Sequence, residues 1–107
     1  MTKHRLVFSD AAIADVLEQA DWYLQQSGRP LALRWEKAVT SAIEHVTRHA
    51  AAGPLCAFRS PELSDVRRAT IPKFPKHLLF YRFNENEKEV FVLRIVHGAR
   101  DLERLFS

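Results

Sequence analysis

The chain has 107 residues, of which 47% are apolar and 27% charged, which excludes a disordered chain and predicts one globular domain over residues 1–107. No apolar run approaches the roughly 20 residues that cross a bilayer, and the first residues lack the apolar segment of a signal peptide. The single cysteine, Cys56, cannot form an internal disulfide, so we expect a cytoplasmic protein that does not contact a membrane.

The net charge of +3 is concentrated in the second half of the chain. Residues 1–52 contain six Lys/Arg and six Asp/Glu, whereas residues 53–107 contain ten Lys/Arg and seven Asp/Glu. A basic surface in this half favours an anionic or phosphate-bearing partner. The alternative is a basic surface that only contacts solvent.

The first half of the chain predicts one strand followed by two helices. Residues 4–8 alternate in polarity as a short strand does, and Ser9 is a suitable N-cap for a helix over 10–27 that ends at Gly28. Pro30 suits the first turn of a second helix over 30–51. Each helix has an apolar stripe that we expect to face the core: Ile13, Val16, Leu17, Ala20 and Leu24 in the first, and Trp35, Val39, Ala42, Ile43 and Val46 in the second.

The last third of the chain predicts three strands and a short tail. A loop over 53–65 precedes strands at 66–71, 77–83 and 90–97, and Pro72 and Pro75 interrupt regular pairing between the first two. The fold class is therefore α+β, with a helix hairpin packed on a small, mostly antiparallel four-stranded sheet in the order β-α-α-β-β-β. The C-terminal residues GARDLERLF form a short helix or a tail. Because both faces of VFVLRIV are apolar, we expect the second sheet face to be covered by this tail or by a partner.

Four segments in this order resemble the RelE/ParE superfamily of bacterial type II toxins, and the ParE-like branch most closely. They are FSDAAIADVLEQADWY, DVRRATI, KFPKHLLFYRF and VLRIVHGARDL. The resemblance implies a toxin that inhibits DNA gyrase by binding, without its own catalysis or a cofactor, and that a cognate antitoxin neutralises. The alternatives are a RelE-like ribosome-dependent mRNA endonuclease, and a non-toxic basic module that binds protein or nucleic acid.

The candidate site residues belong to the predicted sheet. If the protein is a ribonuclease, His97 and His77 are candidates for proton transfer, with Arg82 and Arg94 holding the phosphate. The candidates for target binding are Arg67, Arg68, Lys73, Lys76, Tyr81 and Arg100, with Tyr81 able to stack on a base. The alternative role for Arg82 and Arg94 is an ion pair with Asp65, Asp101 or Glu103. For His97 it is a hydrogen bond to the turn that follows its strand.

Residues of the two helices indicate contact with a partner protein and not a metal site or a catalytic site. His45 and His49 share a helix face, but a metal site needs further ligands that the sequence does not suggest, so we expect no metal and no cofactor. Trp22, if it lies outside the first helix stripe, is an exposed aromatic anchor. We expect the antitoxin to be an acidic amphipathic segment that covers the helix hairpin and a sheet edge.

Overall fold

A computed structural model describes residues 4–98 and 102–106. Strand β1 (Arg5–Phe8) leads into helices α1 (Asp10–Ser27) and α2 (Arg29–Arg48), followed by strands β2 (Arg67–Ile71), β3 (Phe74–Asn84) and β4 (Glu89–His97). Short 3-10 helices lie at Ala50–Ala52, Pro61–Leu63 and Leu102–Phe106. The strands form one sheet in the order β1-β4-β3-β2, in which β1 is parallel to β4 and the other pairs are antiparallel. The predicted fold class and element order are confirmed.

Helix α1 begins and ends at the residues that the sequence indicates, whereas α2 ends at Arg48 rather than at residue 51. The Ser9 hydroxyl accepts a hydrogen bond from the Ala12 backbone N–H at 2.9 Å, which satisfies one of the unpaired amides of the first turn of α1. Gly28 ends α1 with a φ of 86°, a conformation that glycine adopts without a side-chain clash. Within the described part of the chain, neither helix is long and apolar enough to cross a membrane.

The apolar stripe of α2 is confirmed as core, whereas the stripe of α1 is confirmed at Val16 and Ala20 and is wrong at its three large residues. Ala12 and Ala20 are buried in α1, whereas Ile13, Leu17 and Leu24 are 46%, 58% and 49% exposed. The two small alanines face inward, where a helix can approach its neighbours closely. Periodicity locates an apolar band on a helix, but it does not show which edge of that band faces the sheet. Ile13, Leu17 and Leu24, called the α1 stripe below, therefore form an apolar surface outside the core.

The connection between β2 and β3 is tighter than predicted. Ile71 pairs with Phe74 across the two residues Pro72 and Lys73, and Lys73 has a φ of 68°. Strand β3 consequently starts at Phe74 rather than at residue 77, and it includes Pro75. The expected irregularity is present as a register shift between Thr70 and Ile71.

The tail covers the second face of the sheet, as predicted. The ring of Phe106 lies 5.7 Å from the rings of both Phe58 and Phe80, in a cluster that Leu102 and Leu105 extend. The Glu103 carboxylate accepts hydrogen bonds from the backbone N–H groups of Arg59 and Ser60. Apolar packing and a charge-assisted hydrogen bond thus hold the tail against the loop before β2.

Truncation after Asp101 is expected to lower the free energy of unfolding by about 2–4 kcal/mol, since it removes three partly buried apolar side chains. Urea denaturation followed by circular dichroism measures this loss. Removal of Ser107 alone is the control and should leave the midpoint unchanged. Equal midpoints for the two truncated chains would show that the tail does not stabilise the fold.

Candidate functional site

Several sequence-predicted site residues meet at one cavity beside the β2–β3 turn. Its volume is about 430 Å³, and we call it the turn cavity. Its lining residues are Gln19, Trp22, Tyr23, Lys73, Phe74, Pro75, Lys76, His77 and His97. None of these residues carries a carboxylate, so the cavity wall combines cations with aromatic rings.

Helix α1 and the sheet contribute opposite walls of the turn cavity. Trp22 lies on α1 with 55% of its surface exposed, so it is outside the core and is the exposed aromatic residue that the sequence suggested. Lys73 lies in the turn and Lys76 on β3, and both are exposed. His97, at the end of β4, lies opposite His77 in the β3–β4 register. The fold therefore brings together residues from three separate segments.

His77 is a buried histidine in contact with the aromatic core. It is 7% exposed, and its ring lies 4.8 Å from Trp35 and 5.5 Å from His97. Burial lowers the pKa of His77 below its ordinary value of 6.5, and the charge of His97 adds to the effect. His77 is therefore neutral at physiological pH, in an environment that resists its protonation.

The depressed pKa of His77 predicts that stability falls in acid. The unfolded chain binds a proton at His77 more readily than the folded chain, so stability is full above pH 6.5 and decreases as the pH falls below it. Melting temperatures between pH 7.5 and pH 5 test this, since His77→Asn should flatten the pH dependence. The exposed His45→Asn is the matched control and should keep the wild-type slope. A His77→Asn chain with the wild-type slope would contradict the prediction.

Two candidate arginines of the strands, Arg82 and Arg94, are bound to other parts of the fold, away from the turn cavity. Arg94 donates two hydrogen bonds to the Asp15 carboxylate, both at 2.8 Å. Arg82 pairs with Asp65 at 2.9 Å and also donates to the Glu62 carbonyl, so the ion-pair alternative is confirmed for Arg82. For Arg94 the ion pair forms with a partner that the sequence analysis did not name. The expectation that Arg82 and Arg94 hold a phosphate does not fit this geometry, because carboxylates already occupy both guanidinium groups.

Arg67 and Tyr81 stabilise the junction after α2. Arg67 donates to the carbonyl oxygens of Ala51 and Gly53, at 3.2 and 2.7 Å. Tyr81 is buried, and its hydroxyl donates to the Ala50 carbonyl at 2.7 Å. Burial also raises the pKa of the Tyr81 hydroxyl. The expectation that Tyr81 stacks on a base does not fit this placement, because core residues surround its ring.

Arg68 lies away from the turn cavity. Arg68 lines a second cavity of about 580 Å³ at the β2 edge, together with His45 and His49, whose rings are 4.8 Å apart. Arg67 and Arg68 are consecutive and lie on opposite sides of β2, as expected for a strand. Arg100 lies outside the described residues.

Sequence reasoning missed Asp15, which stabilises the outer edge of β4. Its carboxylate pairs with Arg94 and also accepts the Ile95 backbone N–H at 3.0 Å. β1 pairs with β4 only as far as Val92, so Asp15 occupies part of the edge beyond β1. The two partners are 79 residues apart in sequence, and no local pattern connects them.

A comparison with protein families identifies the chain. The family model described as the ParE toxin of the type II toxin–antitoxin system parDE matches residues 6–102. The chain belongs to the ParE toxin family. It is thus a toxin of the type II class, and the resemblance noted in the sequence is confirmed.

Solved structures share the fold of this ParE family member at low sequence identity. The chromosomal ParDE system of P. aeruginosa matches with a TM-score of 0.71 and 22% identity, covering 89% of this chain and 96% of that chain. A RelBE toxin–antitoxin complex from Mycobacterium tuberculosis matches with a TM-score of 0.61 and 18% identity, covering 90% and 99%. No curated protein matches the sequence. The likeness to ParDE and RelBE chains is therefore one of fold.

Proposed function

We propose that this ParE family member inhibits DNA gyrase by binding it, in the cytoplasm, and that a cognate antitoxin neutralises it. The observation that carries the proposal is the family match over residues 6–102, which spans both helices and, apart from Arg5, all four strands. The dispersal of the strand arginines also supports binding over catalysis. Arg82 and Arg94 are held by carboxylates and do not converge on one phosphate position.

The turn cavity is the surface that we assign to the target. Lys73 and Lys76 are exposed cations beside the exposed ring of Trp22, and aromatic residues are common energetic centres of interfaces. Arg67, Arg82 and Arg94 stabilise the fold instead. The other two proposed target contacts, Arg68 and Arg100, are additional cations for a large partner surface.

A supercoiling assay with purified gyrase tests the target. We expect the wild type to inhibit supercoiling, and Lys76→Glu to need roughly ten times more protein, since charge reversal at an interface costs about 1–2 kcal/mol. Lys88→Glu, which makes the same change in the β3–β4 turn, is the matched control. If gyrase supercoils DNA fully in the presence of saturating wild-type toxin, the gyrase proposal is contradicted.

The antitoxin is expected to cover the α1 stripe. This stripe exposes three large apolar side chains on one face, more than scattered surface residues require. The acidic residues of α1 are Asp10, Asp15, Glu18 and Asp21, and the helix contains no lysine or arginine. A helix that docks here would thus need basic residues beside its apolar face, which differs from the acidic segment expected from the sequence.

Leu17→Lys is expected to weaken antitoxin binding by at least about 30-fold, as for other central interface residues. Calorimetric titration with the antitoxin measures this. Leu17 is 58% exposed, so the toxin itself should stay folded. Gln25→Lys adds the same charge on another side of α1 and should bind like the wild type. Unchanged affinity of Leu17→Lys would place the antitoxin elsewhere.

One observation favours the mRNA endonuclease as a second candidate. His77 and His97 lie side by side, and a neutral histidine next to a second histidine is suited to paired base and acid catalysis on a 2′-hydroxyl. His77 is nevertheless packed against Trp35, so a substrate reaches this pair from the His97 side. Loss of message cleavage in His97→Ala, by about 10²–10⁴-fold, would support this candidate.

A further inference from the structure

We propose that the turn cavity binds an unpaired nucleotide, with the base against Trp22 and the phosphate near Lys73 and Lys76. The inference rests on the proposed function, because gyrase acts on DNA and a gyrase-bound toxin with such a site would contact that DNA directly. Three properties of the cavity carry it: a stacking surface, a cationic wall and a suitable size.

The stacking surface is the exposed side chain of Trp22, and the next residue, Tyr23, belongs to the aromatic core. The indole of Trp22 is 55% exposed, and Tyr23 beside it is fixed by Trp35 and Phe74, with ring centroids 5.8 and 5.5 Å away. Proteins that bind single strands use aromatic faces of this kind, because every base has a flat face that stacks. Because Trp22 is exposed, packing of the core does not explain its presence.

The cationic wall faces the same space. Lys73 in the turn and Lys76 on β3 are both exposed, and both line the same cavity as Trp22. None of the acidic residues of α1 lines the cavity, and two of them act on Arg94 instead. Asp15 pairs with Arg94, and the charge of Glu18 contributes to the raised pKa of Arg94, after the larger effect of the Asp15 hydrogen bond. A phosphate would therefore meet cations within the cavity.

The size and the aromatic ring favour a nucleotide over an acidic peptide or a duplex. A volume of about 430 Å³ lies in the range of small-ligand sites and is too small for a double helix. An acidic peptide would use the lysines but not the flat indole. The cavity around Arg68 is the contrast, since it also lacks carboxylates in its lining but contains no tryptophan, and its one tyrosine, Tyr81, is buried.

Fluorescence anisotropy with a labelled oligothymidylate of about 12 nucleotides tests the site. We expect binding that weakens with added salt, and quenching of tryptophan emission from Trp22, since the second tryptophan, Trp35, is buried. Trp22→Ala should weaken binding by roughly 5- to 100-fold, the loss expected for one base stack.

The chain offers a matched pair of variants for the cationic wall. Lys73 and Lys88 are the described non-glycine residues with positive φ, at 68° and 55°, and they lie in different turns. Lys73→Gly and Lys88→Gly each remove one cation and relieve the same backbone strain. We expect only Lys73→Gly to weaken oligothymidylate binding.

The outcomes separate this inference from the gyrase proposal. A toxin that inhibits supercoiling but does not bind the oligonucleotide, or binds it equally well as Trp22→Ala, overturns the nucleotide site alone. If a polyglutamate peptide at equal charge concentration abolishes binding of the oligonucleotide, the nucleotide site is overturned in favour of a site for an acidic peptide. Trp22-dependent binding without gyrase inhibition supports the site and removes the gyrase proposal. An oligouridylate of equal length shows whether the nucleotide comes from DNA or RNA. If the protein binds the oligouridylate but not the oligothymidylate, contact with gyrase-bound DNA is overturned.

Discussion

Replacing Asp15 with alanine is expected to lower the free energy of unfolding by about 3–5 kcal/mol, the cost of leaving one partner of a buried ion pair without its counter-ion. The Asp15 and Arg94 side chains are 9% and 19% exposed, and two hydrogen bonds of 2.8 Å join them. The substitution also leaves the Ile95 backbone N–H without its acceptor. Urea denaturation at neutral pH measures the change. Because small domains are stable by about 5–15 kcal/mol, this loss is a large fraction of the total and should be evident as a lower urea midpoint.

Two further variants show whether burial causes this effect. Glu85→Ala removes a carboxylate from a solvent-exposed pair with Lys88, and should cost less than about 1 kcal/mol. The double variant Asp15→Ala, Arg94→Leu removes both buried charges and should recover much of the lost stability. A cost below about 1 kcal/mol for Asp15→Ala alone would show that the pair does not stabilise the β4 edge.

Trp35→Ala is expected to destabilise the protein by about 3–5 kcal/mol through the cavity that it leaves in the core. Trp35 is fully buried between α1 and the sheet, and its ring lies 5.2 Å from that of Phe74. Its indole N–H also donates to the Val16 carbonyl at 3.2 Å, which joins the two helices. Denaturation monitored by circular dichroism gives the loss.

Trp22→Ala removes the same side chain from an exposed position and is the matched control for Trp35→Ala. We expect it to change stability by less than about 0.5 kcal/mol. Similar losses for the two variants would contradict the assignment of Trp35 to the core and Trp22 to the surface.

Local sequence patterns predicted the elements of this fold well and the inward face of α1 poorly. Ser9, Gly28 and Pro30 set the helix ends through local backbone chemistry, so the helices were predicted within a few residues. The orientation of α1 depends on what packs against it. Val16 and Ala20 were predicted to face the core, and they do. The small residue Ala12 faces inward as well, while Ile13, Leu17 and Leu24 do not, and apolar periodicity alone does not reveal this.

The candidate site was predicted only in part. The type of a residue shows which bonds it can make, but it does not show which group in the fold it bonds to. Lys73, Lys76 and His97 were named from the sequence, and the fold brings them to one cavity. Arg94 and Tyr81 were named for the same reason, yet Asp15 and the Ala50 carbonyl occupy their polar groups. Those contacts join distant parts of the chain, so only the folded structure shows which cations remain at the surface.

Gyrase supercoiling, measured beside cleavage of translated message with the same protein preparation, tests the central claim most directly. We predict that the wild type inhibits supercoiling and leaves message intact. His97→Ala should retain inhibition, apart from a loss of about 1 kcal/mol in stability if the change removes one hydrogen bond. Cleavage of ribosome-bound message that disappears in His97→Ala, with supercoiling unaffected by the wild type, would contradict the claim and establish the endonuclease instead.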